Sequence, residues 1–134
     1  MKNLILFILL STTLFAQKES YIESITIYAE YAELRFGIPK NVSIAVSCYE
    51  TDFGKKVENH NHFHVLDTDG SVAGYNSSLE SFYHFGMLIN ALPKYKVTHA
   101  LPMDSRVWCT ALHLCGYNSD PKLCEKLHAI IDAL

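Results

Sequence analysis

IPKNVSIAVSCYETDFGKK, residues 38 to 56, carries a proline, a nearly unbroken apolar run and then a carboxyl group. Pro39, with Asn41 as N-cap, opens a helix. Val42, Ile44, Ala45, Val46 and Cys48 leave that helix almost no polar face, so it belongs inside a core. It is expected to run to about Phe53, where Gly54 stops it, which puts Glu50 in its last turn. A carboxyl group at the end of a buried helix, between Tyr49 and Phe53, loses solvation and keeps its proton to higher pH. A general acid that protonates a leaving oxygen near neutral pH needs this property. The bland alternative is an ion pair of Glu50 with Lys55 or Lys56 at the helix end, and Lys55, Lys56 and Glu58 read as a solvated face.

Helices are expected on both sides of this segment. From Tyr21 to Phe36, Ile22, Ile25, Tyr28, Ala29, Ala32 and Phe36 recur at threes and fours, and Gly37 ends the run. Residues 55 to 76 are broken by Asn59, Asn61, Asp67, Asp69, Gly70 and Gly74 into a loop with a small hairpin, its arms Phe63 to Leu66 and Val72 to Tyr75. Ser77 followed three residues later by Glu80 is a capping box, opening a helix to about Leu92 that Pro93 closes. A fourth helix covers Ser105 to Cys115 and ends at Gly116. A fifth is expected to start at Asp120 with Pro121 in its first position, burying Leu123, Leu127, Ile130 and Ile131.

Lys2, the apolar run Leu4 to Leu10 and the small polar group Ser11, Thr12 and Thr13 read as a secretory signal peptide. The run is shorter than the roughly 20 residues that span a bilayer, so no stable membrane insertion is expected. Cleavage is expected between Ala16 and Gln17, which leaves residues 17–134 as one exported domain, periplasmic or extracellular. Gln17 rather than a cysteine follows the cut, so no lipid anchor is expected. Removing the signal takes only Lys2 from the 11 basic residues, and 10 against 14 acidic ones is a net charge of −4, which argues against nucleic acid. The exported part holds Cys48, Cys109, Cys115 and Cys124, with three pairings open for two bridges. Cys115 with Cys124, stapling the turn between the last two helices, is preferred, and Cys48 reads as a buried thiol.

Five stretches in order resemble the glucosaminidase family, glycoside hydrolase family 73. The segment 38–56 resembles its pattern of an apolar helix running into a glutamate, then an aromatic, glycine and lysine, with Glu50 matching the catalytic glutamate. HNHF at 60–63 resembles the NNxFG turn, through Asn61, His62 and Phe63. GYNSSLESFYHF at 74–85 resembles the YxSxxES helix start through Tyr75, Ser77, Glu80 and Ser81, and LINALPKYKVTHAL at 88–101 the stretch that follows. GYNSDPKLCEKLHAII at 116–131 is similar to GYATDPxYAxKLxxII through Gly116, Tyr117, Asp120, Pro121, Lys126, Leu127 and Ile131. The resemblance covers about residues 25 to 134.

It implies a mostly α, lysozyme-like two-lobed domain with a small, shortened β-hairpin lobe, acting on N-acetylglucosaminyl bonds of peptidoglycan glycan strands. Glu50 would be the general acid and Tyr117 would position the reacting sugar beside it. Phe63 and Tyr75 would stack on sugar rings, with Asn61 and His62 in the same substrate-binding turn. The chain departs from the pattern in two places. Where the family has Gly-Ile-Lys after the phenylalanine, His64, Val65 and Leu66 stand here. The hairpin, which often contributes a second acidic residue, is cut down to LDTDGSVAG at 66–74, leaving Asp67 and Asp69 as candidates for the second catalytic carboxylate.

A zinc site is the competing reading of the loop, because His60, His62 and His64 would share one side of a strand near Asp67 and Asp69. DTDGS also starts like a calcium loop, but the remaining ligands are missing. A polar cleft rim is preferred, with no metal and no cofactor. Glu80 reads as a cap rather than a catalyst. A lytic transglycosylase with one glutamate and a wall-binding module without turnover are the alternative functions. A monomer is expected, its affinity for the wall coming from the cleft or from a partner protein.

Overall fold

The computed structural model describes residues 2–134. Five α-helices and one 3₁₀ helix carry the fold: α1 (Lys2–Phe36), α2 (Lys40–Thr51), α3 (Ser78–Ala91), the 3₁₀ helix Pro93–Ala100, α4 (Ser105–Leu114) and α5 (Leu123–Asp132). The mostly helical expectation holds. α2 is the axis of the core, packed by α1, α4 and α5, and every residue from Val42 to Cys48 is buried. Each fully buried aliphatic or aromatic side chain contributes roughly 1.5–3 kcal/mol relative to exposure, so the largely apolar run Val42 to Cys48 of α2 is held inside.

Local signals placed most helix ends. Ser77 caps α3, its Oγ accepting from the Glu80 amide at 3.3 Å while the Glu80 carboxylate accepts from the Asn76 amide at 2.9 Å. Glu80 is therefore occupied as a cap. Asp104 caps α4 through the amides of Arg106 and Val107. Pro39, not Asn41, sits at the N-cap of α2. α5 starts at Leu123 rather than Asp120, because the Asp120 carbonyl accepts the Leu123 amide and its carboxylate accepts the Lys122 amide, committing Pro121 and Lys122 to a turn.

α1 runs from Lys2 through the expected cleavage point without a break. Ile5, Leu6, Ile8, Leu9, Leu10 and Phe15 are all more than half exposed on it, whereas Ile25, Ala29 and Ala32 are buried against the core. No helix among the described residues is long and apolar enough to cross a membrane.

Residues 52–77 form the second, smaller lobe. The expected arms do pair, through the Leu66–Val72 bridge and the Asp67-to-Ser71 and Ala73-to-Val65 backbone bonds, but the pairing is too short to make a strand. The four cysteines are free thiols in the structure. The preferred Cys115–Cys124 bridge is not formed, since the Cys124 thiol turns instead to Thr110 at 3.6 Å and His128 at 3.7 Å. Cys48 is fully buried, and burial pushes its thiol up to about 12.

Gly86 of α3 is buried where Phe36 of α1 crosses it, and a Cβ there would lie 2.1 Å from the Phe36 ring. Gly86→Ala is expected to destabilise the protein by about 1–3 kcal/mol through overpacking, outweighing the roughly 1 kcal/mol gained in helix propensity. Urea unfolding midpoints of the two proteins measure this.

Candidate active site

α2 ends in three successive left-handed residues, Asp52, Phe53 and Gly54, with φ of 48°, 55° and 87°. The turn is fastened by the Phe53 amide on the Cys48 carbonyl and the Gly54 amide on Thr51 Oγ1. It swings the chain sharply away after Glu50, whose side chain then faces the small lobe. Between them lies a cavity of about 310 Å³, lined from α2 by Glu50 and from the lobe by Lys56, Glu58, Asn61, His64 and Val72.

Burial raises the pKa of Glu50, and this outweighs the opposing pull of the Asn118 amide and of the charge on His64. The Asn118 Nδ2 donates to Glu50 Oε1 at 3.4 Å, while the Asn118 Oδ1 accepts from the Asp120 amide. Asp120 anchors this segment to α2. Its Oδ2 accepts from the Tyr49 hydroxyl at 2.7 Å and from Lys126 Nζ at 2.8 Å, bonds that hold its carboxyl far below the usual range. Tyr49 in turn is pushed up to about 12 by burial and by Asp120. Tyr117 stands between Phe85 and Tyr95, ring centroids 6.3 Å from each, and burial followed by the charge on Glu50 holds its phenol well above the ordinary value.

The remaining expected site residues are spread over other tasks. Phe63 is 3% exposed, with its ring stacked on Phe85 at 4.0 Å and edge-on to Phe82 at 4.8 Å, so both ends of the contact belong to the core and no face is left for a sugar. Tyr75 bonds His84 Nδ1 and does not line the cavity. Asn61 does line it, yet its amide donates to the Val65 and Ala73 carbonyls and accepts from the Phe63 and Val65 amides, which uses its hydrogen-bonding capacity in shaping the loop. Asp69 accepts from the amide and hydroxyl of Ser71 inside the turn, and neither Asp67 nor Asp69 lines the cavity.

His62 is 5% exposed, its Nδ1 on the Tyr21 hydroxyl and its Nε2 on Ser78 Oγ, both at 2.8 Å. Tyr21 continues the chain of bonds to Ser47 of α2. Burial lowers the His62 pKa to about 4. A lowered folded-state value means that the unfolded chain binds more protons between that value and about 6.5, so stability rises with pH across this window. Full stability is expected above pH 6.5, with progressive loss as pH falls toward 4. His62→Gln should flatten that slope in urea unfolding measured from pH 4 to 7.

The geometry that the competing zinc reading needs does not form. His60 and His64 are left-handed, at φ of 59° and 51°, and His62 is buried, so the three imidazoles share no strand face. Among the described residues no group of three or more potential ligands is placed to hold a metal ion.

Lys56 and Glu58 are exposed, as a solvated face requires, and line the cavity as well, while His64 and Asn118 lie near Glu50 without having been assigned to the site from the sequence. The latter two carried a signal. His64 stands where the resemblance has glycine and Asn118 where it has alanine, so both are small residues exchanged for polar ones beside the candidate acid.

Solved structures share this fold. The glycoside hydrolase domain of FlgJ from Salmonella typhimurium superposes with a TM-score of 0.73 at 22% identity, covering 87% of each chain. The peptidoglycan hydrolase from Sphingomonas sp. A1 gives 0.73 at 20% identity over 84% of this chain and 86% of that one. The catalytic domain of the autolysin Auto from Listeria monocytogenes gives 0.73 at 17%, over 87% and 84%. A curated relative, the peptidoglycan hydrolase FlgJ of Vibrio parahaemolyticus, is 23% identical over 84% of this chain, which spans 46% of that protein's length. The family model described as glucosaminidase, mannosyl-glycoprotein endo-β-N-acetylglucosaminidase, matches residues 26–134, and with α2, the small lobe and the 116–131 segment all inside the match, the chain belongs to the glucosaminidase family.

Proposed function

We propose that the chain is an exported peptidoglycan hydrolase that cleaves N-acetylglucosaminyl bonds, with Glu50 as general acid. The observation that carries this reading is a carboxyl group lining a cavity between two lobes, with its pKa raised by burial. Protonating a glycosidic oxygen requires such a group. Family membership and the naming of the FlgJ relative as a peptidoglycan hydrolase support the substrate class. We assign Tyr117, whose phenol feels the charge on Glu50 although it is not among the residues lining the cavity, to positioning the reacting sugar. Export is supported by Ile5, Leu6, Ile8, Leu9, Leu10 and Phe15 of α1, whose side chains stand open to solvent while the core begins at Ile25.

Digestion of purified peptidoglycan with fragments identified by mass spectrometry tests the proposal. Soluble fragments ending in reducing N-acetylglucosamine are expected. Anhydro ends would mark a transglycosylase, and binding to sacculi without release would mark a wall-binding module.

A further inference from the structure

We infer that His64 is the second catalytic group of this site, the base that takes a proton from the attacking water while Glu50 protonates the leaving oxygen. The inference rests on the reading of Glu50 as a glycosidic acid. Such cleavage needs a group to activate water, attack the sugar or steady its developing charge, and the acidic residues of the shortened hairpin do not supply it at this cavity.

Three non-glycine residues of the loop are left-handed, Asn59, His60 and His64, and of these His64 alone lines the cavity. Its φ of 51° lies in the left-handed region, which a side chain disfavours and glycine adopts freely. The residue is clamped there from both sides, the Asn61 carboxamide accepting from the Phe63 and Val65 amides and donating to the Val65 carbonyl. The clamp sets the imidazole at the wall of the cavity that Glu50 also lines. Backbone strain retained at a cleft residue points to function. The neighbouring imidazole of His62 is not free for this work, since both its nitrogens are engaged by Tyr21 and Ser78. The charged groups facing His64 in the cavity are Glu50 from α2 and Lys56 and Glu58 from the preceding loop.

The step balances. A water proton passes to an imidazole nitrogen of His64 as the water oxygen bonds to the anomeric carbon. The bond from that carbon to the bridging oxygen breaks, its electron pair stays on the bridging oxygen, and that oxygen receives the Glu50 proton. The protein is left with imidazolium and carboxylate, which exchange one proton with solvent to reset, and the released sugar has inverted configuration.

The test is peptidoglycan digestion by the full chain as wild type, Glu50→Gln, Glu58→Gln and His64→Gly, with melting temperatures and the anomer of the first product read by NMR. His64→Gly is expected to melt at or above the wild-type temperature, because glycine relieves the left-handed conformation. Its turnover is expected to fall by about 100-fold or more. Added imidazole or azide should restore part of it, azide giving an inverted glycosyl azide. An active wild type and inactive Glu50→Gln beside an unimpaired His64→Gly would overturn the role of His64 alone. So would a retained anomer, or loss and azide rescue in Glu58→Gln instead. A wild type that cleaves nothing would overturn the hydrolase reading, and this assignment with it.

Discussion

Glu50→Gln is expected to lower turnover on peptidoglycan by about 10²–10⁴-fold, the usual contribution of a positioned general acid. Glutamine keeps the shape of the side chain and its contact with Asn118 but has no proton to give. Because burial raises the Glu50 pKa, the acid form persists to higher pH than an ordinary carboxyl, and wild-type activity should fall as pH rises through that value. The residual activity of the mutant should lack this limb. Wild-type stability falls in the same direction. For a group with a raised folded-state pKa, the benefit of the neutral form is full below the unfolded value and lost as pH rises through the folded one. Glu50→Gln is neutral at every pH, so its stability relative to wild type should increase from pH 4 to pH 8. Activity profiles and urea midpoints at both ends of the range check the pair of statements, and a mutant that was both inactive and unfolded would break the link to chemistry.

Phe63→Ala is expected to cost about 3–5 kcal/mol in unfolding free energy, as large-to-small changes of buried aromatics do. That is a large part of the roughly 5–15 kcal/mol that holds a domain together. The ring lies flat on Phe85 and edge-on to Phe82, and removing it opens a hole where the small lobe meets α3. A sugar platform would behave differently, raising KM with little change in stability. Urea unfolding together with KM, measured where the mutant is still folded, separates the two, and a stable mutant with a raised KM would return Phe63 to the substrate.

Helix α2 was legible because nearly every residue from Val42 to Cys48 is apolar, and a helix without a polar face has one place to go. The cap of α3 was legible because Ser77 and Glu80 act on amides within four residues of themselves. The start of α5 was misplaced because Asp120 is drawn out of the helix by Tyr49, 71 positions earlier in the chain. The same long reach hid the site. Phe63 looks like a cleft aromatic until Phe85 is found stacked on it, and Lys56 and Glu58, solvated as expected, are seen to line the cavity beside Glu50 only once the lobe is in place.

By itself the sequence determined the helical class, the order of the helices and the burial of the helix that carries Glu50 in its last turn, which rest on periodicity and on contacts between near neighbours, while the resemblance to the family rested on its motifs. Only the tertiary structure decided which polar groups share the cavity with that carboxyl. His64 and Asn118 come to it from 14 and 68 residues away, and such closures are set by how the lobes pack, by the left-handed turns at the end of α2 and at His64, and by the Asp120 anchor.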